Sequence, residues 1–104
     1  MDLVVRLGAL SDNTRLRVLK YIADRVEARA QDIVQALDIS QSAASRHLTQ
    51  LTATGHLSER RCDGAKCYAL NPERIEETLP ALEAFLLGSE ALEGRPSLAS
   101  SSYR

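Results

Sequence analysis

Apolar residues recur along the first half of this chain with a helical period, and the pattern changes at Leu57. Leu3, Val4, Leu7 and Leu10 mark a short first helix. Asp12 or Asn13 can cap a second helix to about Arg25, with Leu16, Leu19, Ile22 and Ala23 inward. A third helix, about Ala30 to Leu37, buries Ile33, Val34 and Leu37. Asp38-Ile39-Ser40 then turns the chain, and Ser40 is placed to cap a fourth helix that runs to Thr54. Its inward set is Ala44, Leu48 and Leu51, and Gly55 can take the left-handed position that ends it. Helices three and four therefore form a helix-turn-helix.

"HLSERRCDGAKCYAL" reads as two short strands around Asp63-Gly64, a dipeptide suited to a tight hairpin turn. A hairpin directly after a helix-turn-helix is a wing. Asn71 and Pro72 open a last helix, in which Ile75, Leu79, Leu82 and Leu86 form one stripe. Pro80 inside that stripe predicts a kink or break near Glu76. The Ser-rich, aperiodic residues 89–104 are expected to be a disordered tail beyond a single domain of residues 1–88. The predicted fold is mainly α with a small β-hairpin: a winged helix-turn-helix of about five helices and a two-stranded wing.

Composition narrows the function. The chain has 104 residues, 44% of them hydrophobic, which suits one globular domain. No apolar run approaches the roughly 18–20 residues of a membrane span, and MDLVVRLGALSD lacks the features of a signal peptide, so a cytoplasmic protein is expected. In that compartment Cys62 and Cys67 are expected as free thiols. The formal net charge of -1 averages a basic middle, with Arg46, Arg60, Arg61 and Lys66, and an acidic end, with Glu73, Glu76, Glu77, Glu83, Glu90 and Glu93. Local potential is what steers a polyanion, so the total does not exclude nucleic acid.

The outward face of the fourth helix carries Gln41, Ser42, Ser45, Arg46 and Thr49. A merely solvated helix is usually written in Glu and Lys, whereas these side chains are short, hydrogen-bonding and free of acids. They suit contact with a partner.

"LGALSDNTRLRVLKYIAD", "DIVQALDISQSAASRHLTQLTATGHL" and "ERRCDGAKCYAL" together resemble the winged helix-turn-helix of the ArsR-type bacterial transcriptional regulators, over roughly residues 3 to 87. The resemblance implies a homodimeric repressor held together by its first and last helices. The fourth helix would enter the major groove, and a bound metal or a modified thiol would release the DNA. Transferred residue by residue, it places Gln41, Ser42, Ser45 and Arg46 in the groove, Thr49 and Gln50 near the backbone, and Arg60, Arg61 and Lys66 on phosphate or in the minor groove. His47 stands between a DNA contact and local packing. Leu3, Leu7, Leu79, Leu82 and Leu86 exceed what one small core needs and are assigned to the dimer interface. The expected partner is double-stranded DNA bearing an imperfectly palindromic operator, with no membrane and no cofactor.

The sensing sites of the family do not transfer. The stretch matching its Cys-x-Cys element is "EARAQD", with Ala28, Arg29 and Ala30, and the last helix has carboxylates but no histidine. Glu73, Glu76, Glu77 and Glu83 read as a solvated acidic face. Cys62 and Cys67 lack further identifiable ligands for zinc, so no metal site is expected. They are either a redox switch in the wing or packing residues. If Asp63-Gly64 is a two-residue turn, the two cysteines stand diagonally, about 7–8 Å apart at Cα, and cannot bond without backbone movement. A four-residue "DGAK" loop would oppose them directly. No nucleophile elbow, phosphate loop or histidine-supported acid/base pair points to an enzyme. The other open reading is a winged helix used for protein contacts or dimerisation, or a fragment of a longer regulator.

Overall fold

The computed structural model describes residues 2–88; the tail expected over residues 89–104 lies outside the described residues. Eight elements follow in chain order: α1 (Leu3–Leu10), α2 (Asn13–Arg25), β1 (Glu27–Arg29), α3 (Ala30–Leu37), α4 (Gln41–Ala53), β2 (Leu57–Cys62), β3 (Ala65–Leu70) and α5 (Pro72–Leu87). Their ends are set by local chemistry. Asp12, rather than Asn13, caps α2 by accepting from the Arg15 backbone N–H at 2.9 Å. Ser40 Oγ accepts from the Ala43 N–H at 3.0 Å and starts α4. Asp38, at φ 56°, and Gly55, at φ 84°, supply the left-handed positions that end α3 and α4. The Gly55 position is doubly restricted, because a Cβ there would lie 2.8 Å from Arg74 Nε.

The core joins Ala9 of α1, Val18, Leu19 and Ile22 of α2, Ile33 of α3, Leu48 and Leu51 of α4, and Ala28, Leu57 and Tyr68 of the sheet. Leu48 and Leu51 are 1% and 0% exposed, and burying each contributes about 1.5–3 kcal/mol. This anchorage holds α4 with its opposite face outward. The inward stripe of α2 differs from the expected one. Leu16 and Ala23 are exposed and Val18 is buried, so the helix presents Val18, Leu19 and Ile22 to the core, at i, i+1 and i+4.

The sheet has three strands in the order β1-β3-β2, one more than the expected hairpin. Ala28 of β1 lies opposite Tyr68 and is buried, while Glu27 and Arg29 on either side face the other way. Three residues are too few for a strand period to be recognised in sequence. In the wing, Cys62 pairs with Ala65 and Arg60 with Cys67, so Asp63 (φ 51°) and Gly64 (φ 84°) form the two-residue turn.

Two expectations about the cysteines fail. They are joined in a disulfide rather than free, and they bond diagonally across this two-residue register with a Cα–Cα separation of 6.0 Å. The strong twist of a two-stranded ribbon shortens one of its two diagonals, which brings the pair within the usual disulfide range of about 4.4–6.8 Å. Of the kink or break expected near Glu76, the break does not occur, because α5 runs through Pro80 as one helix. Its first residues are pinned where the Asn71 N–H donates to the His56 carbonyl at 2.9 Å.

Candidate nucleic-acid interface

Ala44, His47, Leu48 and Leu51 turn α4 toward the core, which leaves Gln41, Ser42, Ser45, Arg46, Thr49 and Gln50 exposed. The acid-free face anticipated from sequence is therefore one continuous surface. It begins at the N-terminus of α4, where unpaired backbone N–H groups and the positive end of the helix dipole attract anions. Arg46 makes no ion pair among the described residues, so its guanidinium is available.

His47 sits differently from the rest. It is 8% exposed, and its Nδ1 lies 3.5 Å from Arg15 Nη1. The same arginine donates from Nε to the Ala9 carbonyl at 2.7 Å and from Nη2 to the Gly8 carbonyl at 3.0 Å. Arg15 thus satisfies the end of α1 and reaches the inner side of α4. This positioning role had no local sequence signal, because the bonds span helices. Of the two readings open for His47, its burial favours local packing: it lies on the inner face of α4, and the DNA contact assigned to it is corrected.

The wing is less free than its count of cations suggests. Arg60 is clamped by Glu27 of β1, Nε to Oε2 at 2.7 Å and Nη2 to Oε1 at 2.9 Å. Lys66 stands 3.6 Å from Glu59, and Arg61 Nη1 donates to the Gly64 carbonyl at 2.8 Å. Arg61 and Lys66 are direct cross-strand partners and share a face. Arg60 belongs to the other face, with Cys62, Cys67, Glu27 and Arg29.

A buried network links the end of α4 to α5. His56, 0% exposed, lies 2.8 Å from Thr54 Oγ1 through Nδ1 and 3.3 Å from Thr78 Oγ1 through Nε2. Thr78 Oγ1 donates to the Arg74 carbonyl, so the ring donates from Nε2 to Thr78; a neutral Nδ1 then accepts from Thr54 Oγ1, whose single hydrogen is also within reach of the Leu51 carbonyl at 3.1 Å. Burial, and then the charges of Arg74 and Arg6, hold the His56 pKa below its usual 6.5. Burial also lowers that of His47, against the opposing charge of Asp12. Both depressed histidines stay neutral in the fold while the unfolded chain takes up protons from about 6.5 downward. Their contribution to stability is present above that value and is lost as pH falls through the folded pKa values. The urea midpoint should therefore drop between about pH 8 and about pH 5, and His56→Asn should flatten the slope. A wild-type midpoint independent of pH over that range would contradict the neutral assignment.

α1 and α5 leave several large apolar side chains exposed, on α5 alongside Glu73, Glu76, Glu77 and Glu83. Val4 is 72% exposed, Leu79 63%, Phe85 77% and Leu86 67%. Of the assigned interface residues, Leu79 and Leu86 lie on this surface, while Leu3, Leu7 and Leu82 are half-buried. Val4 and Phe85 were not anticipated there. Among the described residues, no helix is long and apolar enough to cross a membrane.

The segment from the cap of α2 to Gly55, residues 12–55, matches the family model described as "Bacterial regulatory protein, arsR family". The chain is 36% identical to the arsenic resistance transcriptional regulator ArsR2 of Pseudomonas putida, an alignment covering 85% of this chain and 86% of that protein. It is 39% identical to a probable mercury resistance operon repressor of Streptomyces lividans, over 66% of this chain and 54% of that one. Among solved structures, an ArsR-like transcriptional regulator from Rhodococcus sp. RHA1 superposes with a TM-score of 0.74 at 26% identity, covering 88% of this chain and 83% of that chain.

Proposed function

The chain belongs to the ArsR family of bacterial transcriptional regulators, and from that premise we propose that it is a cytoplasmic, homodimeric repressor that binds an imperfectly palindromic operator. The observation that carries this reading is the exposed, acid-free face of α4, fixed by Ser40 at its start and by Leu48 and Leu51 beneath it. Gln41, Ser42, Ser45 and Arg46 would meet base edges, where Gln suits adenine and Arg suits guanine. Thr49 and Gln50 would reach the backbone, and Arg61 and Lys66 of the wing would meet phosphate. Arg60 is a lesser contact, because Glu27 pairs with its charge through Nε and Nη2. Its relatives are transcriptional regulators rather than enzymes, and those named for arsenic and mercury resistance support control by a thiophilic ion.

The test is a fluorescence titration with DNA over a range of salt. Affinity should fall linearly in logarithmic coordinates as salt rises. Arg61→Ala and Lys66→Ala should each weaken all sequences alike and reduce the slope by about one unit per protomer, with Arg60→Ala having a smaller effect. DNA retention indifferent to salt and to these variants would instead favour a winged helix used for protein contacts.

A further inference from the structure

On the sheet face opposite the core, the wing thiols meet a carboxylate that lies far away in sequence. The Sγ atoms of Cys62 and Cys67 and a carboxylate oxygen of Glu27 all lie within 4.8 Å of one another. They border a cavity of about 320 Å³ that is also lined by Arg29, Asp32 and Arg60. Three features of the fold build this cluster. The two-residue turn places the cysteines on a short diagonal. The pairing of β1 with β3 sets Arg29 opposite Cys67 and Glu27 two residues along the same face. The clamp on Arg60 then aims the Glu27 carboxylate across the sheet.

We propose that the reduced pair Cys62 and Cys67, with Glu27 as third ligand, is a binding site for a soft, thiophilic cation of the mercuric or cuprous type. Two thiolates satisfy such an ion, and softness selects it over hard, oxygen-preferring cations. Zinc fits less well, since it takes four ligands in structural sites and only three are gathered here. The site opens by reduction of the disulfide. A small thiol reductant delivers two electrons and two protons to the disulfide, breaking the S–S bond and leaving two thiols, while the reductant becomes the oxidised disulfide. A mercuric ion then forms two S–Hg bonds and releases the two thiol protons. Arg29 Nη2 donates to the Cys62 carbonyl at 3.1 Å and ties the end of β2 to β1 beside the site. The disulfide is thus the closed form of the site, and the redox state of the wing decides whether the ion can bind.

Glu27 cannot fully serve both partners. A cation drawing on its oxygens competes with Arg60, so the same event unfastens the wing from β1. This regulatory meaning rests on the DNA-binding reading, but the site does not, and it is tested on DNA-free protein. The protein reduced by a monothiol is equilibrated with mercuric ion in excess monothiol and desalted, and the mercury retained per chain is measured. One ion per chain is expected. Cys62→Ser and Cys67→Ser should each abolish retention, and Glu27→Gln should keep the stoichiometry while weakening binding by about tenfold, as read from the monothiol concentration that strips the ion. Circular dichroism of each variant checks that the fold survives. Mercury retained by either cysteine variant, or an affinity no greater than that of the competing monothiol, would overturn the site. Equal affinity in Glu27→Gln would overturn the three-ligand assignment. None of these outcomes bears on operator binding by the metal-free protein, which the salt titration measures separately.

Discussion

Replacing Phe85 and Leu86 together by Glu is expected to convert the protein from a dimer to a folded monomer. Both side chains are mostly exposed, so the substitution costs the isolated chain little, yet it places two charges among the exposed apolar side chains of α5. Several large apolar side chains left exposed on two packed helices suit a protein contact, and self-complementary contacts favour two-fold dimers. Operator affinity should fall with dimerisation. Each protomer then binds only its half-site, and losing the linkage between two half-sites removes about 10²- to 10⁴-fold in avidity. Sedimentation at about micromolar concentration checks the first step and a DNA titration the second. A wild-type protein already monomeric in sedimentation would contradict the interface assigned here.

Arg46→Ala is the second large effect. Arg46 is exposed on α4, holds no ion pair among the described residues and stands on the face that carries Ser42, Ser45 and Thr49. Its loss should leave folding unchanged and cost about 1–3 kcal/mol per bidentate contact, roughly 5- to 150-fold in affinity. Preference should relax at one base pair of each half-site, unlike the uniform loss expected from Arg61 or Lys66. Wild-type affinity and preference in Arg46→Ala would move base reading away from the middle of α4.

Much of this arrangement is legible in the chain because it is locally determined. Ser40, Gly55 and Asp63-Gly64 each require a particular backbone conformation or hydrogen bond within a few residues, and the structure has them as start, stop and turn. The outward face of α4 follows from Ala44, Leu48 and Leu51 alone. What sequence pattern missed depends on partners far apart in the chain. β1 exists because Ala28 finds Tyr68, and Arg60 is engaged because Glu27, 33 positions earlier, faces it. His47 turns inward toward Arg15, which is 32 positions away. The register of the wing was one of two open choices, but the twist that lets Cys62 reach Cys67 diagonally is a property of the paired strands. In α2 the inward stripe is rotated from the one its apolar spacing predicts, since Leu16 and Val18 are both apolar and only packing separates them. Pro80 lies in an α5 that runs on through it, although a lone proline signals a break.

The central claim is that two copies of α4, held by a two-fold dimer, read one operator. Selection of bound sequences from random DNA, followed by measurement of the protein-to-DNA stoichiometry on the winner, tests it most directly. The account predicts two inverted half-sites centred about one helical turn apart, roughly 34 Å, occupied by two protomers. A single unrepeated site bound by one chain, or no enrichment of any sequence, would contradict it.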